Sequence, residues 1–338
     1  MKKIFIEVSP GFYKTKLFNE ISKQIDIDVV YTNTYDKSTR NKDFLKGSRL
    51  FNYFELYGTK WKQCLKIVQI LRKGNYDEVI VGGYNSIISY FTALVSKKKK
   101  NAILLESTFR ETKQTKIRSF LKKLFFKRMN RVYVCGSPHE KLARMFGFKG
   151  ECKYWYSVGL INVVAQPPFE KRERVKDFLF VGRLIKEKNL LWLIERFNNH
   201  PELNLTIIGF GPLEEELHKA IKGSNIKMIG AVDNQKLPEF YQKADVFILP
   251  SISETWGLVV EEALNNGTPV IASDMVGAAD DLLLDGKYGS IFESNNVDSF
   301  ENCIKEMCDI SNYNNKRVNI SRINFDERER EIINAFLS

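Results

Sequence analysis

Short apolar runs recur along this chain, each followed by a polar or Gly-containing turn and then by a helical pattern, and this alternation narrows the fold more than any other feature. Residues 4–8, 28–31, 78–81, 102–105 and 131–134 read as strands of the first half. Helices are expected over 14–23, after the loop Ser9-Pro10-Gly11, and over 60–72, with Leu65, Val68 and Leu71 on one face. The second half repeats the pattern, with strands at 178–181, 203–208 and 226–229. Strands that alternate with helices imply parallel sheets covered by helices, an α/β chain. A length of 338 residues with 43% hydrophobic content suits two packed cores. The polar, Pro-containing stretch 166–176 marks the boundary, giving domains at 1–165 and 176–320 and a terminal helical segment at 321–338.

Residues 79–96 carry no charge, which raises the question of a membrane span. Gly82, Gly83, Asn85 and Ser86 divide the stretch into a strand, a turn and a buried helix, so it reads as core. Met1-Lys2-Lys3 leads directly into the first strand, so no signal peptide is expected. The five cysteines are odd in number and irregularly spaced, as expected of reduced thiols in the cytoplasm.

Residues 251–272 concentrate the chemistry. Glu254 lies in a loop, Gly257 opens a short helix that carries Glu262, and Gly267 and Pro269 end it. Free N–H groups near Leu258 and Val259 suit a phosphate, and the two carboxylates suit sugar hydroxyls. Alone, the pair reads rather as a solvated helix carboxylate and a loop charge. A second segment adds weight: the strand 178–181 runs into Gly182 and Arg183, and Lys188 precedes the next helix. Ligands of open α/β sheets sit beyond the carboxyl ends of strands, so Arg183 and Lys188 are placed to clamp an anion such as a diphosphate. In a third segment a strand meets Gly209, Gly211 and Pro212, with Pro212 expected to open a helix that has Glu214, Glu215 and Glu216 in its first turn. The glycines allow a close backbone approach to a nucleotide. Glu214 stands where a dinucleotide fingerprint needs Gly or Ala, which argues against a dehydrogenase.

Gly182-Arg183-Leu184 with Lys188, Gly209-Phe210-Gly211-Pro212, the run 244–251, and Glu254 to Glu262 with Gly267-Thr268-Pro269-Val270 together resemble the donor-binding domain of retaining glycosyltransferases of the GT-B type, family 4. The resemblance covers about residues 178–292. It implies two Rossmann-like parallel-sheet domains facing across a cleft, the first binding the acceptor and the second the nucleotide-sugar, with the terminal helix crossing back to the first. It implies that Arg183 and Lys188 bind the donor diphosphate, that Glu262 holds the ribose hydroxyls, and that Glu254 with the Gly257, Leu258 and Val259 amides faces the sugar and phosphates. No cofactor and no metal are implied. His139, His200 and His218 are scattered, and no Cys–His cluster has metal spacing.

The first domain matches less closely. Gly11 holds the place of the family's Gly-rich loop near the donor phosphates. Many members place a His near the transferred sugar after the fourth strand; here Glu106 follows the strand 102–105, and either Glu106 takes over that contact or the site is arranged differently. His139 is either a contact to the sugar or an ordinary residue of a helix N-terminus. The net charge is +11, with Lys97 to Lys100 a solid run. Residues 113–131 read as a basic amphipathic helix, with Ile117, Phe120, Leu121, Leu124 and Phe125 on one side. That pattern fits a core-facing helix with a solvated basic face, and it equally fits a helix lying on an anionic membrane.

The expected activity is retaining, metal-independent transfer of a sugar from a UDP- or GDP-sugar to a glycan or lipid-linked acceptor in surface polysaccharide or glycoconjugate synthesis. The expected location is cytoplasmic, peripheral on the inner face of the plasma membrane. The alternatives are a GT-B nucleotide-sugar epimerase and, from another class, a non-catalytic basic protein binding nucleic acid or membrane. The absence of an RRM, KH or zinc pattern speaks against nucleic acid.

Overall fold

The computed structural model describes residues 1–32, 47–110, 115–157 and 164–337. The chain divides into two units: Met1–Ile161 together with Glu327–Ser338 form unit 1, and Asn162–Asp326 form unit 2.

Unit 1 holds strands β1 (Lys2–Glu7), β2 (Asp26–Tyr31), β3 (Asn52–Glu55), β4 (Glu78–Val81), β5 (Asn101–Leu105), β6 (Arg131–Val134) and β7 (Glu151–Tyr154). They form a parallel sheet in the order β3-β2-β1-β4-β5-β6-β7. β4 and β5 are buried along their whole length, as strands covered by helices on both faces must be. The edge strands β3 and β7 are largely exposed or half-buried, and neither carries a run of apolar residues for sequence reading to find. In helix Lys60–Gly74 the inward residues are Gln63, Cys64 and Ile67, and Leu65 is exposed. The expected Leu65 face is therefore turned by about one residue, because apolar residues occur on two adjacent sides of this helix.

Helix Ile87–Val95 fills the uncharged stretch after β4 and has nine residues. Among the described residues no helix is long and apolar enough to cross a membrane. Helix Lys116–Lys127 is shorter than the expected 113–131: Thr115 caps it by accepting from the Arg118 amide, Arg131 begins β6, and Lys113 lies outside the described residues. The last helix, Phe325–Asn334, leads to Phe336, which packs against the rings of Phe5, Tyr133 and Trp155 in unit 1.

Unit 2 holds β8 (Asp177–Val181), β9 (Asn204–Ile208), β10 (Ile226–Gly230), β11 (Val246–Leu249), β12 (Val270–Ser273) and β13 (Gly289–Phe292). They are parallel, in the order β10-β9-β8-β11-β12-β13. Asp245 ties β11 to β8 by accepting the amides of Lys176 and Asp177 at 2.8 and 2.9 Å. Pro212 does not open a helix: it lies in a turn, and the helix is Glu214–Ala220, starting two residues later with its three glutamates in the first turn.

Strand order reverses between β1 and β4 in unit 1 and between β8 and β11 in unit 2. In open α/β sheets the crevice beyond the carboxyl ends at such a reversal is where ligands bind.

Candidate functional site

At the reversal in unit 2 the loop after β8 lies against the loop after β9. A Cβ on Gly209 would stand 1.8 Å from the Gly182 carbonyl oxygen, and one on Gly211 would stand 2.5 Å from that of Leu184. The two loops therefore touch backbone to backbone, with Leu184 N–H donating to Phe210 O at 2.9 Å and Leu213 N–H to Leu184 O at 3.2 Å. The glycines read from the sequence as room for a nucleotide thus serve first to let these loops meet. Arg183, held between Gly182 and Leu184, is exposed; its carbonyl accepts the Ile185 N–H at 3.1 Å, and its side chain makes no hydrogen bond or ion pair among the described residues.

Lys188 ends the one-turn helix Lys186–Lys188, and Asn189 in left-handed conformation (φ 56°) then starts helix Leu190–Asn198. The Lys188 side chain is buried and its Nζ donates to Glu254 Oε2. Two residues read as separate contacts are thus one ion pair joining the loops after β8 and β11. The Ile252 N–H, donating to Glu187 O at 2.9 Å, reinforces the junction.

Glu254 is fixed from the other side by the loop after β12. It forms a parallel bridge with Val276, and Gly277 N–H donates to its carbonyl at 3.0 Å. A Cβ on Gly277 would fall 1.9 Å from Thr255 O. This Met275–Gly277 support was not read from the sequence; the glycine just past a buried strand was its only signal.

Helix Leu258–Asn265 begins at Gly257 with φ 99°. A Cβ there would lie 3.1 Å from Leu249 and Val276 and 3.4 Å from Glu254 Cγ, so the Glu254 side chain runs beside the helix start. The first amides, at Leu258 and Val259, have no acceptor within the helix, and its dipole favours an anion at that end. The C-terminus follows expectation: Gly267 (φ 78°) donates to Leu264 O and Thr268 to Ala263 O, both at 3.0 Å, and Pro269 follows.

Glu262 on this helix is half-buried and accepts the Tyr241 hydroxyl at 2.9 Å on Oε2. Burial pushes its carboxyl up to about 7; the Tyr241 bond pulls the value down and Glu261 beside it pushes it up. Tyr241 is anchored by Thr268, whose hydroxyl donates to its carbonyl at 2.6 Å. The structure therefore joins Lys188, Glu254 and Gly257, and gives Glu262 a separate support of its own. Among the described residues no group of three or more His, Cys, Asp or Glu could hold a metal ion.

In unit 1, Gly11 precedes helix Phe12–Ser22 at φ −68°, which any residue could adopt. Glu106 follows β5 and is 44% exposed, with Oε1 3.1 Å from Lys14 Nζ. The same ammonium lies 2.7 Å from Glu7 Oε2. His139 is fully buried in the first turn of helix Ser137–Met145, next to Pro138, which leaves it no exposed edge on unit 1. In helix Lys116–Lys127 the inner residues are Phe125 and Phe126, while Ile117, Phe120, Leu121 and Leu124 are exposed. The expected apolar side is therefore open to solvent for all but its last member.

Residues 165–324 match the sequence profile described as Glycosyl transferases group 1. The chain is similar to the sulfoquinovosyl transferase SQD2 of Arabidopsis thaliana, 37% identical over 131 residues, which are 38% of this chain and 25% of that protein. In fold it is similar to the apo form of the lipopolysaccharide outer core galactosyltransferase WaaB, with a TM-score of 0.77 at 19% identity over 99% of each chain. It is also similar to Anabaena HepE in complex with UDP, with a TM-score of 0.69 at 15% identity over 98% of each chain. The chain has the two-sheet fold of the GT-B glycosyltransferases, and its residues 165–324 match the group 1 glycosyl transferase family model.

Proposed function

We propose that this protein is a retaining, metal-independent glycosyltransferase that moves a hexosyl group from a UDP- or GDP-sugar held by unit 2 to a glycan or lipid-linked acceptor held by unit 1. The observation that carries the reading is the set of groups at the strand-order reversal of unit 2: an exposed, unpaired Arg183, the Lys188–Glu254 pair, and the start of helix Leu258–Asn265.

Breaking the bond from the anomeric carbon to the diphosphate leaves negative charge on the leaving group. Lys188 and the Leu258 and Val259 amides are fixed before the reaction, so they stabilise that charge without reorganisation, and the exposed Arg183 side chain is free to turn onto it. These groups supply the positive charge from the chain itself. Glu254, tied to Lys188, accepts hydroxyls of the donor sugar, and Glu262 accepts those of the ribose. The acceptor hydroxyl attacks on the face the diphosphate leaves, and a phosphate oxygen takes its proton. Configuration at the anomeric carbon is thereby retained.

The UDP complex of the HepE structure supports a uridine nucleotide as donor, and the lipopolysaccharide substrate named for WaaB supports a lipid-linked acceptor in surface glycoconjugate synthesis. The exposed Ile117, Phe120, Leu121 and Leu124, flanked by Lys116, Arg118, Lys123 and Lys127, suit an anionic membrane on its cytoplasmic side. Pelleting with anionic liposomes, abolished by Phe120→Asp with Leu121→Asp, checks this part of the reading.

Thermal stabilisation by UDP, GDP and ADP in wild type and Glu262→Ala tests the donor site. A ligand at 100 times its Kd stabilises by about 2.7 kcal/mol. One nucleotide should raise the wild-type Tm and lose most of its effect in the variant; no response to any of the three refutes the donor assignment. Turnover of a nucleotide-sugar with no acceptor present would mark an epimerase instead.

A further inference from the structure

Unit 1 has its own crevice at the reversal of strand order, and its lining differs from that of unit 2. Glu7 is the last residue of β1, Gly82 the first after β4 and Glu106 the first after β5. Lys14 reaches in from helix Phe12–Ser22 and binds both carboxylates, Glu7 Oε2 at 2.7 Å and Glu106 Oε1 at 3.1 Å. Glu7 is 4% exposed, and its Oε1 is buried without a hydrogen-bond partner. A Cβ on Gly82 would lie 2.6 Å from Glu7 Oε2, so the end of β4 is kept bare to make room for this carboxylate.

A stable core does not need such a cluster. A buried ion pair is commonly matched in stability by apolar side chains of the same volume, so its position at the ligand-binding end of the sheet calls for a chemical use. The exposures are graded. Glu7 is sealed, Lys14 is largely covered, and Glu106 is nearly half open. The largely covered ammonium thus fixes the position of a carboxylate that faces solvent. Burial opposes the Lys14 charge, but Glu106 and Glu7 outweigh it and its pKa lies above the ordinary value.

We propose that Glu106 is the contact of unit 1 for sugar hydroxyls, that Lys14 and Glu7 are the positioning residues that aim it, and that the sugar it accepts is uncharged. An ionised carboxylate accepts two hydroxyl protons in a charge-assisted geometry. The Lys14 ammonium is already engaged by Glu7 and Glu106, so it is not free to pair with the phosphate of a phosphorylated sugar. This rests on the proposed transfer to an acceptor held by unit 1, and it names the chemistry of that acceptor.

Saturation-transfer NMR with methyl β-D-glucoside and methyl β-D-galactoside, and with their 6-phosphates, tests it on the full chain. Loss of a charge-assisted hydrogen bond weakens binding by about ten-fold or more. At least one neutral glycoside should bind wild type, bind at least about ten-fold more weakly to Glu106→Gln and Lys14→Met, and recover in Lys14→Arg, whose guanidinium can also bridge two carboxylates. The 6-phosphate should bind more weakly than the neutral form. Glu106 is nearly half open to solvent, so Glu106→Gln keeps the test valid should Lys14→Met fail to fold. Failure of both neutral glycosides to bind wild type, equal binding to Glu106→Gln, or tighter binding of the 6-phosphates overturns the proposal. UDP stabilisation of the same proteins is read in parallel. If no nucleotide stabilises wild type while the glycoside result holds, the donor reading falls and the sugar contact stands.

Discussion

The two units share one topology and differ in what they set at its active end. Both reverse strand order beside their first strand, and both bring in a lysine from the segment after it. In unit 2 Lys188 meets one carboxylate and Arg183 stands free beside it, a balance that favours an anion. In unit 1 Lys14 meets two carboxylates, a balance that favours neutral hydroxyls. On the proposed reading the same scaffold serves opposite ligand chemistries through a handful of loop residues.

The packing of the loops differs as sharply. In unit 2 Gly209 lets two backbones meet, whereas Gly83, after β4 of unit 1, has nothing within 4 Å of the place a Cβ would take. Gly209→Ala is expected to destabilise unit 2 by more than about 4 kcal/mol, because backbone rather than a flexible side chain must move. Gly83→Ala should lose only the ~1–2 kcal/mol of the left-handed conformation at φ 93°. Peptide-resolved amide hydrogen exchange reads each unit separately. Equal losses in the two variants would break the contrast.

The charge balance of unit 2 is sharpened by removing its cations one at a time. Arg183→Ala should slow transfer by ~10²–10³ and leave the melting temperature nearly unchanged, since the side chain is exposed and unpaired. Lys188→Met should slow transfer and also destabilise by about 3 kcal/mol, because it strands the Glu254 carboxylate in a mostly buried place. A Lys188→Met protein as stable as wild type would mean that the pair contributes nothing to holding the two loops together.

A smaller effect concerns Glu262, which burial holds protonated up to about 7. Its contribution to stability is full below pH 4.5, where folded and unfolded chains are both protonated, and falls as pH rises from there to about 7. Nucleotide affinity runs the other way if the ribose needs the ionised carboxylate, and UDP should bind more tightly at pH 8 than at pH 6. Tyr241→Phe removes the hydrogen bond that pulls the pKa down, so the midpoint should move to higher pH. Calorimetric titration of UDP across this range checks both, and a flat affinity profile would take Glu262 out of the binding site.

Much of unit 2 is legible in the sequence because its signals are local. Gly267 and Pro269 end a helix by their own backbone preferences, and Phe178–Val181 is a strand apolar enough to be buried on both faces. What escapes is carried by distant residues. Glu254 meets Lys188 across 66 positions, and the Met275–Gly277 loop that supports it has no local signature. In unit 1 the Glu7–Lys14–Glu106 cluster joins three elements, so Glu106 alone could be noticed beforehand. The exposed apolar side of helix Lys116–Lys127 was equally hidden, because helical spacing shows that a stripe exists and not what covers it. Pro212 misled by two residues since a proline suits a turn as well as a first helical position.

The smallest expected effect separates folding chemistry from site chemistry within unit 2. His200 joins Glu202 and Glu301, with Nδ1 at 2.9 Å from one carboxylate and Nε2 at 2.8 Å from the other. Desolvation works against its charge, but the two carboxylates prevail and its pKa is raised above 6.5. A histidine raised in the folded state stabilises fully below its unfolded value of 6.5, and this contribution is lost as pH climbs through the higher folded value. The ring is about a quarter exposed and its partner Glu202 mostly exposed, so screening should keep the effect below about 1 kcal/mol. His200→Gln should therefore lower the melting temperature of unit 2 slightly at pH 6 and hardly at all at pH 9, with UDP affinity unchanged at both. Glu262→Gln, in contrast, should change UDP affinity most at high pH, so the two substitutions divide the pH response of one unit into a part that holds the fold and a part that binds the nucleotide.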